Sequence, residues 1–499
     1  SCEHDFWYEY DILMTKILVM NRTIKYILIL TTLLPVLVSC SDWLELHPED
    51  ELVSDEFWTS SEDVNSMLYN TYGKMASEVK TMLLWGELRG GMLAEGQFTP
   101  SDAARIIRGD VTDQNSLIQW EGFYQVINGA NQLLKFSPQV VDRDPSFTET
   151  DLQEIQAEAY FLRGLSYFYL VRAFKEVPLI LKPYTSDEQN YYPSKSGEQE
   201  ILEQIVSDLT KSLEMAPEAY DTEVASLGRA TSYAVSALLA DVYLWQNNYD
   251  KTIEQCNRII NSGQYDLLGE YSWFDNFYPG NSRSSIFEIQ FDQNWNARSG
   301  LYETFSFNKK GEYKVNSKVL NMFRSSDARS EGATWHDDNL EIWKYVGTGP
   351  TKERGDELND NNFIVYRLAG VMLMKAEALA EKSQFDQAQT IINEIRNQRG
   401  VPEVSINPTI HSFEDYILDE RARELAYEGK RWFDILRMGK RDDYERKSLV
   451  INALVMNAPA DVIPSLRSKF QDPYSWYFPI HRSELQVNTN LEQNPYYEK

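Results

Sequence analysis

A mostly α-helical fold, with tetratricopeptide-like helical hairpins as its scaffold and one large loop-rich insertion, is what this sequence predicts. Three observations carry that reading. Apolar residues recur at three- and four-residue steps over long stretches, as one buried helix face requires. Two of those stretches repeat each other at an offset of 136 residues, with small residues where paired helices would cross. Between them, roughly residues 263–362 show aromatic, Gly, Asn and Ser clusters and little period.

The first element in order is an address label. From Ile27 to Val38 an apolar run follows Arg22 and Lys25 and ends at "LVSC", with Leu37 three places before Cys40. A membrane span needs about 20 apolar residues, whereas a secretory signal needs only about 7–15. Pro35 within the run also disfavours a regular helix. The pattern resembles a bacterial lipobox, so residues 1–39 are expected to be upstream sequence and a removed signal peptide. Cys40 is then the lipidated first mature residue. More than one acyl chain anchors a protein stably without a transmembrane helix.

Helices come next. "DLQEIQAEAYFLRGLSYFYLVRAF" (151–174) places Ile155, Ala159, Leu162, Leu165 and Tyr169 on one stripe and stops before Pro178. A helical pattern from Arg229 to Ile260 breaks at Gln246–Asn248, and one from Tyr366 to Gly400 breaks around Lys382–Gln384. At the 136-residue offset Ala240 matches Ala376, Asp241 matches Glu377, Tyr249 matches Phe385 and Asp250 matches Asp386. An Ala at the crossing permits close helix approach, as in helical-repeat hairpins. Within 263–362 only "SIFEIQF" reads clearly as a strand. A second loop-rich stretch spans 438–482. The domain reading is therefore an N-terminal helical region 40–262, an insertion 263–362 expected on the ligand side, and a C-terminal region 363–499.

Charge narrows the partners. With 48 basic against 76 acidic side chains the chain carries −28, which disfavours nucleic acid and anionic lipid headgroups. Cys2, Cys40 and Cys256 form no CxxC pair, and Cys256 in "TIEQCNRII" reads as a small buried hydrophobe. No GxSxG, HExxH, Walker or GxGxxG motif is present. "GTGPTK" (347–352) lacks the spacing of a phosphate loop, and no EF-hand spacing indicates calcium. No cofactor is implied. In "ERARELAYEGKRWFDILRMG", Glu420, Glu424 and Glu428 stack beside Arg421, Arg423, Arg431 and Arg437. Paired carboxylates suit a glycosidase, but a charged face tied by ion pairs explains them more simply. Gly429 in the same segment reads as a point of close backbone approach.

Several segments together resemble the SusD/RagB family of outer-membrane glycan-binding lipoproteins. They are "SDWLELHPED" after Cys40, "WEGFYQVINGANQLL" from Trp120, "AEAYFLRGLSYFYLVRAFKEVPL" from Ala157, the segment from Glu420 and the closing "WYFPIHRSELQVNTNLEQNPYY". Departures exist too. Lys175 stands where the family often has Gly, Gly370 replaces a frequent acid, "LRGGML" lacks an Arg-Ser-Asp run, and Tyr496 takes a frequent Gly position.

The resemblance implies a cell-surface lipoprotein, not an enzyme, that captures oligosaccharides and delivers them to a SusC-like TonB-dependent transporter. Its implied partners are that transporter, an oligosaccharide or polysaccharide, and the outer membrane through the lipid anchor. The alternatives are an envelope glycoside hydrolase and a helical-repeat scaffold without a small ligand. Sugar C–H faces need flat rings, and sugar hydroxyls need bidentate polar groups. Loop aromatics Trp85, Trp273, Trp295, Tyr302, Trp335 and Trp343 are expected to supply the first, with Arg89, Asp292, Asn294 and Asn296 for the second. Trp295, flanked by polar residues and Gly, is the foremost of these.

Overall fold

A capping box starts the helical body. Ser60 Oγ accepts from the Asp63 amide at 3.3 Å, and Asp63 Oδ2 accepts from the Ser60 amide at 2.9 Å, satisfying two helix-end donors at once. The computed structural model describes residues 57–184, 190–295, 297–336, 338–355 and 358–498. The expected signal peptide and Cys40 lie outside the described residues. Helix α1 (Ser61–Ser77) buries Val64, Leu68, Thr71 and Met75. It is followed by α2 (Val79–Glu87), β1 (Leu93–Glu95) and α3 (Ser101–Ile107). Among the described residues no helix is long and apolar enough to cross a membrane.

Helices α4 (Glu121–Phe136), α5 (Glu149–Phe174) and α6 (Glu198–Met215) pack side by side. The sequence predicts a single apolar stripe on α5, but every residue from Phe161 to Phe174 is buried. Burial on all sides forces its polar groups to pair internally. Arg163 donates from Nε and Nη2 to the two Asp208 oxygens, both at 2.7 Å, and from Nη1 to Asn131. The helix ends at Lys175 with φ +69°, a left-handed conformation that favours Gly.

The short α7 (Glu223–Gly228) leads into the first hairpin, α8 (Ser232–Trp245) and α9 (Tyr249–Ile260). Beyond it, β2 (Ser285–Ile289) is the strand expected from "SIFEIQF". The rest of the insertion holds α10 (Leu301–Phe305), β3 (Tyr313–Val315) and the short β4 (Trp335–His336), β5 (Glu341–Ile342), β6 (Gly347–Gly349) and β7 (Lys352–Glu353). Strand β8 (Phe363–Arg367) closes it, antiparallel to β2 from Ser285↔Arg367 to Ile289↔Phe363. Tyr366 and Arg367, expected in a helix, are thus in a strand, where the Ile-Val-Tyr run is at home. Strand β3 pairs with β1, Leu93↔Val315, fastening the insertion to the N-terminal region. Trp273, Phe277, Ala333 and Ile364 form its own small core.

The second hairpin is α11 (Leu368–Glu381) and α12 (Phe385–Asn397). The repeat holds to the backbone. Asn247 and Ser383, one offset apart, both turn at φ +58°, and Ala240 and Ala376 are both fully buried. Helix α9 packs on α11, with Lys382 Nζ 2.6 Å from Asp250 and the Tyr249 hydroxyl donating to Glu381 at 3.3 Å. Cys256 is buried, and burial pushes its thiol up to about 12, so it is an inert core group.

The C-terminal region supplies α13 (Ile410–Glu424) and α14 (Arg431–Tyr444). The stretch expected as loop also holds α15 (Lys447–Val455) and α16 (Ile463–Lys469), and α17 (Arg482–Val487) follows. The turn between α13 and α14 lies against α2. Gly429 has φ +72°, and a Cβ on Gly86 would stand 1.9 Å from the Gly429 carbonyl oxygen. Two glycines therefore let the chain cross there, as expected of Gly429.

Candidate functional site

Glu420 and Glu424 at the end of α13 and Glu428 in the turn after it form a glutamate ladder whose carboxylates are not free to do chemistry. Glu420, Glu424 and Glu428 are at most 1% exposed. Arg399 donates to Glu424 at 3.0 and 2.7 Å, and Arg367 Nη1 donates to it at 2.7 Å. Arg329 bridges Glu420 at 2.7 Å and Glu424 at 3.0 Å, and Lys344 holds Glu428 at 2.8 Å. Burial works to raise the Glu424 carboxyl, yet the guanidinium groups of Arg399 and Arg367 hold it well below the carboxylate range. Over this cluster lies Trp273, with Arg399, Lys344 and Arg367 at 4.9, 5.3 and 5.5 Å from its ring. The ladder is a sealed ionic core joining α13 to the insertion, with no carboxylate presented to a substrate.

Most of the expected ligand-facing rings are packed inside. Trp85 is 1% exposed, stacks on Phe123 at 5.1 Å and donates its indole N–H to the Leu117 carbonyl. Trp273 belongs to the insertion core. Tyr302 is buried, with its hydroxyl donating to Glu353 at 3.0 Å. Trp335 lies edge-on to Phe323 at 4.6 Å, and Trp343 donates to the Gly349 carbonyl at 2.8 Å. Arg89 is buried between the rings of Trp432 and Phe478. The physical reason is common to all: each is on a loop or helix end that covers a core, and large rings gain most by leaving water. None of these five rings offers a face to a bound sugar.

Asp292 and Asn294 follow Phe291, which lines an open cleft with Arg298. Asp292 Oδ1 accepts from the Asn294 amide at 2.8 Å, and the Ala297 amide donates to the Asp292 carbonyl at 3.0 Å. Asp292 thus shapes the loop, while Asn294 is exposed. Trp295 ends a short turn after Gln293; its side chain and all of Asn296 lie outside the described residues. "NDNN" (359–362) pins the loop: Asn362 Oδ1 accepts from the Phe291 amide at 3.0 Å, and its Nδ2 donates to Gln290 at 3.0 Å.

The cleft holds about 660 Å³. Helix α1 forms one wall with Tyr69, Tyr72 and Ala76, and α7 contributes Val224. Phe287 and Ile289 of β2, then Phe291 and Arg298 of the loop, complete the lining. Tyr69 is 60% exposed, a ring face held in water by a rigid helix. Tyr72 is the opposite case. Its hydroxyl donates to Glu158 at 2.7 Å and accepts from the Ala230 amide at 3.0 Å, and Arg229 holds the same Glu158 at 2.5 Å. Burial and Glu158 keep the Tyr72 hydroxyl protonated far above neutrality. The wall is thus fixed while the rim carries an open ring, Tyr69, and an exposed guanidinium, Arg298, a mixture that suits a polyol. Sequence reasoning missed Tyr69, although a signal existed: it falls off the Val64, Leu68, Thr71, Met75 stripe of α1.

With this geometry in view, comparison with known proteins is informative. Residues 218–497, more than half of the chain, match a family model described as SusD family. Residues 42–244 match one described as starch-binding associating with outer membrane. SusD-like protein P38 of Formosa agariphila is 26% identical, covering 95% of this chain and 99% of its own. A SusD-like protein of Bacteroides ovatus is 24% identical, with 83% and 82% covered. Among solved structures, surface glycan-binding protein A from Bacteroides uniformis superposes with a TM-score of 0.72 at 22% identity, covering 88% of this chain and all of that one. A SusD homolog from Bacteroides thetaiotaomicron gives 0.71 at 25% identity, again covering 88% of this chain and 100% of that one. The fold is therefore shared with these proteins, and this chain belongs to the SusD family.

Proposed function

We propose that this protein captures oligosaccharides in the cleft between α1 and the 290–298 loop, without making or breaking a bond. The observation that carries the reading is the exposed Tyr69 ring sharing one cleft with Phe291, Gln290 and Arg298. Ring faces take the C–H surface of a sugar, and the Arg298 guanidinium takes its hydroxyls. The family descriptions and the glycan-binding title of a structural neighbour support the same class of ligand. In isothermal titration with a bound oligosaccharide, Tyr69→Ala should weaken affinity about fivefold to tenfold, the value of one stacking ring. Unchanged affinity would remove the cleft from the account.

Delivery to a SusC-like TonB-dependent transporter, from a lipid anchor on Cys40 at the cell surface, completes the proposal. Its support is the lipobox-like "LVSC" and the outer-membrane family description. Co-purification from detergent-solubilised membranes should recover an outer-membrane barrel with this chain. Extraction of the chain alone in every detergent would contradict delivery. A Cys40→Ala variant should leave the membrane fraction, and its retention there would contradict the anchor.

A further inference from the structure

A second cavity, of about 480 Å³, lies between α3, the α15–α16 segment and the C-terminal tail. Its charged lining residues are Arg89, Arg108, Lys469 and Asp110. Three cations to one anion is the reverse of the balance of this chain, which has 76 acidic and 48 basic side chains. Asp110 is already paired with Arg105 at 2.9 Å, and Arg108 with Glu95 at 2.6 Å, so Arg89 and Lys469 are the lining charges that remain. Phe470, Tyr496 and Tyr497 supply rings to the same wall.

Arg89 is the unusual member. Arg163, Arg367, Arg399 and Arg437 are buried with a carboxylate partner each, and buried Arg354 donates to the Leu358 and Gly347 carbonyls at 3.1 and 3.2 Å through both its Nη atoms. Arg89 is 3% exposed, and among the described residues no carboxylate pairs with it. Nη1 donates to the Trp476 carbonyl at 2.7 Å, while Nε and Nη2 have no partner. Both faces of its guanidinium are covered by rings, Trp432 at 4.4 Å and Phe478 at 3.8 Å. A new partner can therefore approach only in the guanidinium plane, along the Nε–Nη2 edge. That edge is a two-pronged donor whose spacing matches a carboxylate. A buried cation without a counter-ion is costly, and burial, opposed by Tyr497 and Tyr477, lowers Arg89 to about 9.

We propose that this cavity binds a carboxylate-bearing sugar, a uronate, with Arg89 as its principal ligand. One guanidinium neutralises one negative charge, which suits a monoanion, and the ring-lined volume suits a monosaccharide residue. The sugar part of this assignment rests on the glycan-binding reading above; the carboxylate part rests on Arg89. Nε and Nη2 are shielded by protein atoms, so entry must shift a neighbouring side chain. Exposed Lys469 and half-buried Tyr496 are the wall groups with room to move.

The test is titration of the intact protein with D-glucuronate, D-glucose and glucose 6-sulfate, followed calorimetrically. Glucuronate should bind, glucose should not compete for its site, and Arg89→Met should lower glucuronate affinity about tenfold or more. Ser465→Trp fills the cavity from an exposed wall position without touching Arg89, and it should abolish the same binding. It also decides the matter should Arg89→Met fail to fold. No glucuronate binding, binding unchanged in folded Arg89→Met or in Ser465→Trp, or equal binding of glucose 6-sulfate would each overturn the assignment. If neutral oligosaccharides still bind in the first case, only the uronate site fails; if they do not, the glycan reading fails with it.

Discussion

Arg437 clasps Glu377 with two parallel hydrogen bonds, 3.0 Å from Nε and 2.8 Å from Nη2, tying α14 to α11. Both side chains are buried, and Arg441 binds the same carboxylate. Burial works to raise Glu377, but Arg437 and Arg441 overcome it and bring the carboxyl to about 2. The position is the repeat partner of Asp241, which lies 3.6 Å from Arg172. Each hairpin thus docks its first helix through a buried acid and an arginine from another helix.

Removing one partner leaves an uncompensated buried charge. Glu377→Gln should therefore cost about 3–5 kcal/mol in urea denaturation. The depressed pKa also sets a pH window. The contribution of Glu377 is fully present above the unfolded value of 4.5 and is lost as pH falls toward about 2. Wild-type stability should fall across that interval, and the part due to Glu377 should be missing from the variant. A parallel acid transition in both would show that the pair contributes nothing.

Glu87 runs the other way. Burial raises its carboxyl to about 8, even though its Oε1 accepts from the Gly429 and Lys430 amides at 2.9 and 3.2 Å. Its contribution to stability is full below the unfolded value of 4.5 and is lost as pH rises through about 8. In Glu87→Gln that loss should vanish, so the melting-temperature difference between variant and wild type should change from about pH 4.5 to about pH 8 and stay constant above it. A difference independent of pH would contradict the burial of a neutral acid.

Lys175 holds φ +69° at the end of α5. Relief of a strained non-glycine conformation is worth about 1–3 kcal/mol. The ammonium lies 4.7 Å from the Tyr474 ring, a contact worth roughly 0.5–1 kcal/mol. Lys175→Gly should therefore stabilise the protein by about 1 kcal/mol net, seen as a higher melting temperature. A lower one would mean that the ring contact outweighs the strain.

At the crossing of α2 with the Gly429 turn, Gly86→Ala should be the more damaging of two substitutions. Its Cβ would meet backbone at 1.9 Å, whereas on Gly429 the nearest atoms are at 3.2 Å. Gly429→Ala should cost about 1–2 kcal/mol for its left-handed backbone. Gly86→Ala should exceed about 3 kcal/mol, because two backbones must separate. Chemical denaturation ranks the two, and the reverse order would mean that the turn, not the crossing, is the rigid element.

How much of this was legible follows from which forces are local. The two hairpins, with their breaks at Gln246–Asn248 and Lys382–Gln384, are local patterns and are visible in the sequence, whereas the positive φ of Asn247 and Ser383 appears only in the structure. The Glu420, Glu424, Glu428 ladder is visible as a charged face. Its partners Arg329, Arg367 and Arg399 come from distant segments that only the fold brings together. Loop residence misleads for Trp273, Trp335 and Trp343, because the insertion covers a core of its own. Tyr69 could have been found, since it breaks the apolar stripe of α1; the companion groups Phe291 and Arg298 depend on how the 290–298 loop is pinned by Asn362.

The central claim is glycan capture in the cleft beside Tyr69. Affinity electrophoresis of the intact protein and of Tyr69→Ala through gels carrying a panel of polysaccharides tests it most directly. The account predicts that at least one polysaccharide retards the wild type and retards Tyr69→Ala clearly less. Equal retardation of the two, or none by any polysaccharide, would contradict it.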